Sequence, residues 1–313
     1  MSDHFKAYHP KFNDFVDTSV EPQIIAENMV WTEGPVWFNN QFCFNDIPNK
    51  KMYSWTETSG LSTVIEDTDF ANGNTVDGAG LMVSCEHGGR RIILRNNAFN
   101  TVSVLAAQFE NKRLNSPNDV IVKSDGTIWF TDPPYGINSD VEGYPAQSEV
   151  GSNNVYRLDK DGTVHCVAND FDKPNGLALS PDETKLYIAD SGAIKGASFP
   201  GIDYSLPHHI RVFDVKDNTL SNGRIFLEID NGVPDGFRVD TEGYIWCSSA
   251  DSLRCYSPTA ELVGKILLPE VVSNCCFGGE TGTDLFITST SHVYRVKTMR
   301  QGAESLYKNK GIE

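Results

Sequence analysis

Positive charge is scarce in this chain: 26 of its 313 residues are lysine or arginine against 42 aspartate and glutamate, a formal net charge of −16 and a pI near 4.8. A field of that sign repels phosphate, so nucleic acid and anionic membranes are not expected partners, and a cation is the more natural ligand. Acidity on this scale also serves solubility alone. Cysteine is sparse and scattered, at Cys43, Cys85, Cys166, Cys247, Cys255, Cys275 and Cys276, with no Cys-x-x-Cys pair. Most of these lie in apolar strand-like runs such as Ile245-Trp246-Cys247, so buried reduced thiols are expected and a thiolate metal site is not. The seven histidines form no His-x-His or His-Glu-x-x-His spacing, and there is no Gly-x-Ser-x-Gly elbow, which leaves a zinc protease or serine hydrolase without support. No segment approaches the roughly 18 apolar residues of a membrane helix, and Met1 to Asp14 has no apolar core of signal-peptide length; a cytoplasmic location is expected.

A long amphipathic helical period is also missing. What is present instead is glycine (26 residues), aromatics (11%) and turns of the Asp-Gly, Asn-Gly and Thr-Glu-Gly type along the whole chain, which favour many short strands. The stretch Ser116 to Gly136 shows the pattern. Val120 to Val122 and Thr127 to Phe130 flank Asp125-Gly126, a strong hairpin signal. Six second strands align on their apolar centres: Gln41 to Phe44, Gly80 to Val83, Thr127 to Phe130, Lys185 to Ile188, Tyr244 to Cys247 and Asp284 to Ile287. Their spacing of roughly 40 to 60 residues is that of propeller blades. Further strand pairs such as Val155 to Leu158 with Val164 to Val167 complete four-stranded sheets, and radial repetition hides most sheet edges. The expectation is an all-β six-bladed β-propeller with a central metal-binding channel, in which residues 1–20 are an arm laid over the surface and 21–313 form a single domain. A pair of β-sandwiches is the alternative, and no linker separates two halves. Asp132 to Gly151 is too long for a tight turn and reads as a functional loop at one mouth.

About ten residues before each aligned strand centre stands a Pro or Gly turn with an oxygen-bearing side chain: Thr32-Glu33-Gly34-Pro35, Ala71-Asn72-Gly73-Asn74, Ser116-Pro117-Asn118-Asp119, Lys173-Pro174-Asn175-Gly176, Val233-Pro234-Asp235-Gly236 and Ser273-Asn274-Cys275. One such turn is ordinary turn chemistry. In a propeller, however, the turn entering each innermost strand faces the channel, so Glu33, Asn118, Asn175 and Asp235 are expected to meet on the axis. Two carboxylates and two amides without a lysine or arginine among them are costly in a partly dry channel, and a cation removes the cost. All-oxygen donors favour a hard divalent ion, Ca²⁺ first, with Mg²⁺, Mn²⁺ or Zn²⁺ as alternatives.

These residues resemble the senescence marker protein, gluconolactonase and luciferin-regenerating-enzyme family of calcium-dependent six-bladed propellers. The matching stretches are Glu33-Gly34-Pro35 with Trp37, Leu114 to Val120, Phe130 to Gly136, Pro174 to Leu177, Pro234-Asp235-Gly236 and Cys276 to Gly279. The run Cys85 to Gly88 is similar to bacterial gluconolactonase-like members. The resemblance implies a metal held by Glu33, Asn118, Asn175 and Asp235 and hydrolysis of sugar lactones. One position departs: animal members carry an arginine two residues before the matching Asn118, where this chain has Ser116. The departure bears on sugar preference and not on the metal.

The chemistry expected is polarisation of the lactone carbonyl by the metal, with water activated by Asp235 as general base or, in a competing account, as a metal-bound hydroxide. His87, Arg90, Ser116, Asn118, Asp132 and Tyr135 are expected to bind the sugar. Asp132 has a competing reading as a turn cap, and the Glu86 to Arg91 run one as a solvated loop. The partner is then a small sugar lactone, and the chain a monomer or a weakly associated homo-oligomer. Two alternatives stand beside this: a phosphotriesterase of the diisopropylfluorophosphatase type, and a metal-stabilised propeller that binds without catalysis.

Overall fold

The Asp125-Gly126 turn joins strand Val120–Val122 to strand Ile128–Asp132, with Val120 opposite Phe130 and Val122 opposite Ile128. The same unit recurs around a ring. In the computed structural model, which describes residues 2–194 and 201–308, six antiparallel sheets follow one another. Blade 1 comprises Thr32–Phe38, Gln41–Asp46, Lys51–Thr56 and Gly60–Ile65; blade 2, Ala71–Val76, Met82–Glu86, Arg91–Arg95 and Thr101–Ala106. Blade 3 comprises Val120–Val122, Ile128–Asp132, Asn154–Leu158 and Val164–Ala168; blade 4, Pro174–Leu179, Lys185–Asp190, His209–Lys216 and Thr219–Glu228. Blade 5 comprises Phe237–Val239, Ile245–Ser248, Ser252–Tyr256 and Leu262–Leu267, and blade 6 Val272–Gly278, Asp284–Ser289 and His292–Lys297. Gln23–Ala26 adds the outer strand of blade 6 beside His292–Lys297, so the ring is closed by the two ends of the chain. The first strand of each blade touches the first strand of the next, and blade 6 touches blade 1. The architecture is the all-β six-bladed propeller expected from the repeat.

Period-two alternation explains the packing. Adjacent residues of a strand point to opposite faces, and in a ring of blades both faces are covered. Phe130 therefore enters the core between blades 2 and 3, while its neighbour Trp129 enters the core between blades 3 and 4. The buried apolar side chains form six clusters in all, one at each blade interface. Burying a side chain such as Phe286 or Trp246 contributes about 1.5–3 kcal/mol, so each interface is held by several such increments. None of the seven cysteines forms a disulfide, and all but Cys166 are buried.

The N-terminal segment is more than a surface layer. Phe5–Ala7 extends blade 5 as a fifth strand beside Leu262–Leu267, and Phe12, Phe15 and Val16 enter the core between blades 5 and 6. Gly264 has no side chain where the Phe12 ring sits; a Cβ there would lie 2.3 Å from it. Among the described residues, no helix is long and apolar enough to cross a membrane. Residues 309–313, part of the range assigned to the propeller from the sequence, lie outside the described residues.

Candidate functional site

The innermost strands all start at the same end of the channel, and there the six oxygen-bearing turns meet. In blades 1, 2, 4 and 6 the ladder between the first two strands slips at this point, between Glu33 and Val36, Ala71 and Asn74, Pro174 and Leu177, and Val272 and Asn274. Such bulges re-aim a side chain out of the ladder. In blades 3 and 5 pairing begins only at Val120 and Phe237, leaving Asn118 and Asp235 just ahead of it.

Hydrogen bonds between blades fix the turns. The amide of Gly73 donates to the carbonyl of Asn118 (2.8 Å), Thr131 Oγ1 to that of Asn175 (2.8 Å), and the amide of Gly176 to that of Asp235 (3.2 Å). The amide of Gly236 donates to Ser273 (2.7 Å), Ser273 Oγ to Thr32 (2.6 Å), and Asn45 Nδ2 to Asn72 (2.7 Å), which completes the circuit. At Gly34, Gly73, Gly176 and Gly236, each following an oxygen-bearing turn residue, the neighbouring turn passes close by. At Gly34, with φ of +59°, a Cβ would lie 1.9 Å from the Asn72 carbonyl oxygen.

Glu33, Asn118, Asn175 and Asp235 line one cavity of about 410 Å³, together with Asn72, Tyr135, Glu142 and Ser191. Among the described residues, no lysine or arginine is in its lining. Glu33 Oε2 accepts from the Gly34 amide (2.7 Å) and from Asn274 Nδ2 (2.9 Å). Burial nevertheless pushes the Glu33 carboxyl up to about 7, the two hydrogen bonds offsetting only part of the effect. Asp235 is driven well above the usual carboxylate range by burial, then by Glu33, Glu142 and Asp119. Tyr135 is likewise raised, by burial and then by Asp235 and Glu142, while Ser191 and Asn175 beside its hydroxyl offset part of the shift.

The remaining expected substrate contacts, His87, Arg90, Ser116 and Asp132, are not among the lining residues. They stand behind the wall. His87 is fully buried, with Nδ1 3.0 Å from the Glu142 carbonyl oxygen and Nε2 3.3 Å from Asn72 Nδ2. Burial lowers its pKa to about 4, and a neutral ring donating from Nδ1 and accepting at Nε2 satisfies both contacts. Arg90 Nε donates to the carbonyls of Leu114 (2.6 Å) and Asn115 (3.1 Å). Ser116 Oγ donates to the Pro133 carbonyl (2.6 Å) and accepts from the Gly136 amide (2.9 Å). Asp132 Oδ2 accepts from the Asn115 amide (2.8 Å) and its carboxyl is pushed up to about 7 by burial. Asp46 and Asp190 do the same work in blades 1 and 4, accepting from the amides of Val30 and Trp31 and of Asp172 and Lys173. The common cause is position: a carboxylate at the end of a second strand faces the backbone of the segment entering its own blade, not the channel.

Glu142 and Ser191 were not legible as site residues. Glu142 lies on the long loop after blade 3's second strand, outside the repeat, so no phase marks it; burial pushes its carboxyl up to about 7. Asn72 and Asn274 do carry the signal, since they stand at the same phase as the four donors. Asn72 lines the cavity, and Asn274 holds Glu33. The loop itself is fixed over one side by the His87 contact, by Lys50 Nζ donating to the Tyr144 hydroxyl (3.1 Å) and by the Tyr144 ring set edge-on to Phe70.

Two buried carboxyls and two carboxamides around a cavity are a donor set for a hard cation. Among the described residues, no group of three or more His, Cys, Asp or Glu gathers as a metal cluster, and a set that is half asparagine is not of that kind. Residues 31–291 match the family described as the SMP-30/gluconolactonase/LRE-like region. The chain belongs to this family. It is similar to the gluconolactonase of Zymomonas mobilis, at 32% identity over 94% of this chain and 86% of that protein. It is similar to the regucalcin of Danio rerio, at 29% identity over 85% of each. Among solved structures, a gluconolactonase from Xanthomonas campestris superposes with a TM-score of 0.86, at 32% identity over 95% of both chains.

Proposed function

We propose that this protein hydrolyses lactones with a divalent cation, Ca²⁺ by donor chemistry, held by Glu33, Asn118, Asn175 and Asp235. The observation that carries the reading is the convergence of two raised carboxyls on a cavity with no lysine or arginine among its described lining residues. Left alone, Glu33 raises the pKa of Asp235; a hard cation offsets that repulsion and is the ligand the donor set fits. The family's gluconolactonases support lactones as the substrates.

When bound, the cation supplies Lewis-acid polarisation of the lactone carbonyl. The chain's own groups do the rest. Asp235 accepts the proton of the attacking water, since of the two carboxyls in the donor set it is the less buried, Glu33 being 3% exposed. Asn118 and Asn175 orient the carbonyl, their backbones fixed by Thr131 and Gly73. The Tyr135 hydroxyl, in the cavity lining, donates to a substrate oxygen. His87, Arg90, Ser116 and Asp132 act by holding the loop and the turn that carry these groups.

The test is proton release from glucono-1,5-lactone at near-neutral pH, with spontaneous opening subtracted. Protein stripped by chelator is compared before and after addition of Ca²⁺, Mg²⁺, Mn²⁺ or Zn²⁺. Activity lost on stripping and restored by one ion is the expected result. Full activity after stripping removes the metal from the reading, and inactivity with every ion on every lactone removes the lactonase.

A further inference from the structure

The cavity has two unlike parts. Its floor is polar and buried: Glu33, Asn72, Asn118 and Asn175 are 3–5% exposed. Its rim is apolar and open. Val30, Val141, Ile202 and Val271 line the same cavity at 50%, 39%, 37% and 41% exposure, joined by Trp31 and Ile47. Only fifteen large hydrophobic side chains are exposed among the described residues, and four of them meet at this one mouth. They come from four separate segments: the entry to blade 1, the long loop of blade 3, the segment after the second strand of blade 4, and the entry to blade 6. Exposed apolar side chains scattered singly need no explanation, but a cluster rimming a polar floor marks a ligand surface.

A lactone whose carbonyl sits on the floor projects its ring substituent toward this rim. Hydroxyl groups there would leave water for aliphatic walls and lose hydrogen bonds without replacement. A phosphate or carboxylate would meet Glu142 and Asp235, with no lysine or arginine among the described lining residues. A hydrocarbon substituent meets neither obstacle.

We infer that the preferred substrate is a lactone bearing an alkyl or aryl substituent, seated on the rim formed by Val30, Val141, Ile202 and Val271, and not a polyhydroxylated or phosphorylated sugar lactone. The inference rests on the lactonase reading above and deepens it.

The experiment is a chain-length series of 1,5-lactones with hydrogen, methyl, propyl or pentyl beside the ring oxygen, assayed with glucono-1,5-lactone on metal-loaded protein. Each added CH₂ is expected to raise kcat/KM by about threefold to fourfold, mainly through KM, until the rim is filled. Gluconolactone is expected to fall below the pentyl lactone. The variant V30S/V141S/V271S flattens the slope; its three positions are exposed, so folding is checked by an unchanged melting profile. Val102→Ser, on the outer strand of blade 2, is the control that leaves the slope in place. Calorimetric binding of 2-alkyltetrahydropyrans, which lack the carbonyl, reads the rim independently of turnover. Chain-dependent binding without any lactone turnover sinks the lactonase reading and keeps the apolar rim. Binding and kcat/KM that do not change with chain length, with gluconolactone preferred, overturn the inference.

Discussion

The two ends of the channel solve the same electrostatic problem differently. At the end where the innermost strands begin, Glu33 and Asp235 face a cavity with no lysine or arginine among its described lining residues, and both carboxyls are pushed up. From the end where those strands finish, Arg238 reaches back to the buried carboxylate of Asp119, one residue past Asn118, with Nη1 at 3.5 Å, and its Nε lies 3.5 Å from Glu304. Burial works against the Arg238 charge, and Asp119 and Glu304 more than restore it. The C-terminal segment carries Glu304 into place, with the Ala303 amide donating to the Val239 carbonyl (2.8 Å). One end thus brings its own cation and is sealed by the chain. The other holds two raised carboxyls with no such partner among its described lining residues.

The sharpest way to test that contrast is to remove one charged group from each end. Asp235→Asn is expected to fold normally and to lower kcat by about 10²–10⁴-fold, the usual contribution of a positioned general base. A near-normal rate would take Asp235 out of that role. Arg238→Met is expected to act on stability. It leaves Asp119 charged and buried without its partner, a cost of about 3–5 kcal/mol, read as a lower denaturant midpoint. The double variant R238M/D119N should recover most of that loss. If Arg238→Met is silent in stability, the lower end is not held by the ion pair.

A pH series separates the ends more finely. The Glu33 carboxyl, pushed from 4.5 to about 7, binds its proton more tightly in the folded state than in the unfolded one. Its contribution to stability is fully present below about pH 4.5 and is lost as pH rises through about 7. At roughly 1.4 kcal/mol per pKa unit the loss is about 3 kcal/mol. Cation binding needs the ionised carboxylates, so added Ca²⁺ should raise the melting temperature more at pH 8 than at pH 5.5. Asp132, also near 7 but walled off from the cavity, titrates in the same window and should give a loss that Ca²⁺ does not reverse. Asp132→Asn is therefore expected to reduce the pH dependence of the stripped protein while leaving the Ca²⁺ response intact.

Much of this was written in local pattern. The Asp125-Gly126 hairpin and the six aligned second strands come from turn chemistry and alternation, which act over a few residues, and the structure places strands at each. The four donors were visible because they recur at one phase of a repeat that the fold maps onto one axis. Glu142 and Ser191 were not, since they reach the cavity through loops that obey no repeat. Asp132 carried two readings, substrate contact and turn cap, and its hydrogen bond is that of the cap. A carboxylate at a strand end in a Phe-Thr-Asp-Pro motif resembles a site residue in sequence, while its partner, the Asn115 amide, is set by where the incoming chain crosses. The buried arm residues Phe12 and Phe15 were missed because they pack against Trp246, more than 200 positions away.

The smallest effect expected concerns Ser116, which bridges the blade 3 entry turn and the long loop through Pro133 and Gly136. If it acts only as a brace, Ser116→Ala costs two hydrogen bonds at about 1 kcal/mol each, leaves the Gly136 amide buried without a partner, and loosens the segment that presents Tyr135. Turnover should then fall modestly through KM, with kcat nearly unchanged, because Asn118 and Asp235 keep their own supports from Thr131, Gly73 and Ser248. Ser116→Thr, which retains the hydroxyl, should restore most of the loss if its methyl is accommodated. A large fall in kcat with normal stability would instead mean that Ser116 reaches the substrate in the working enzyme. Ser116 would then belong to the cavity end of the channel and not to the frame around it.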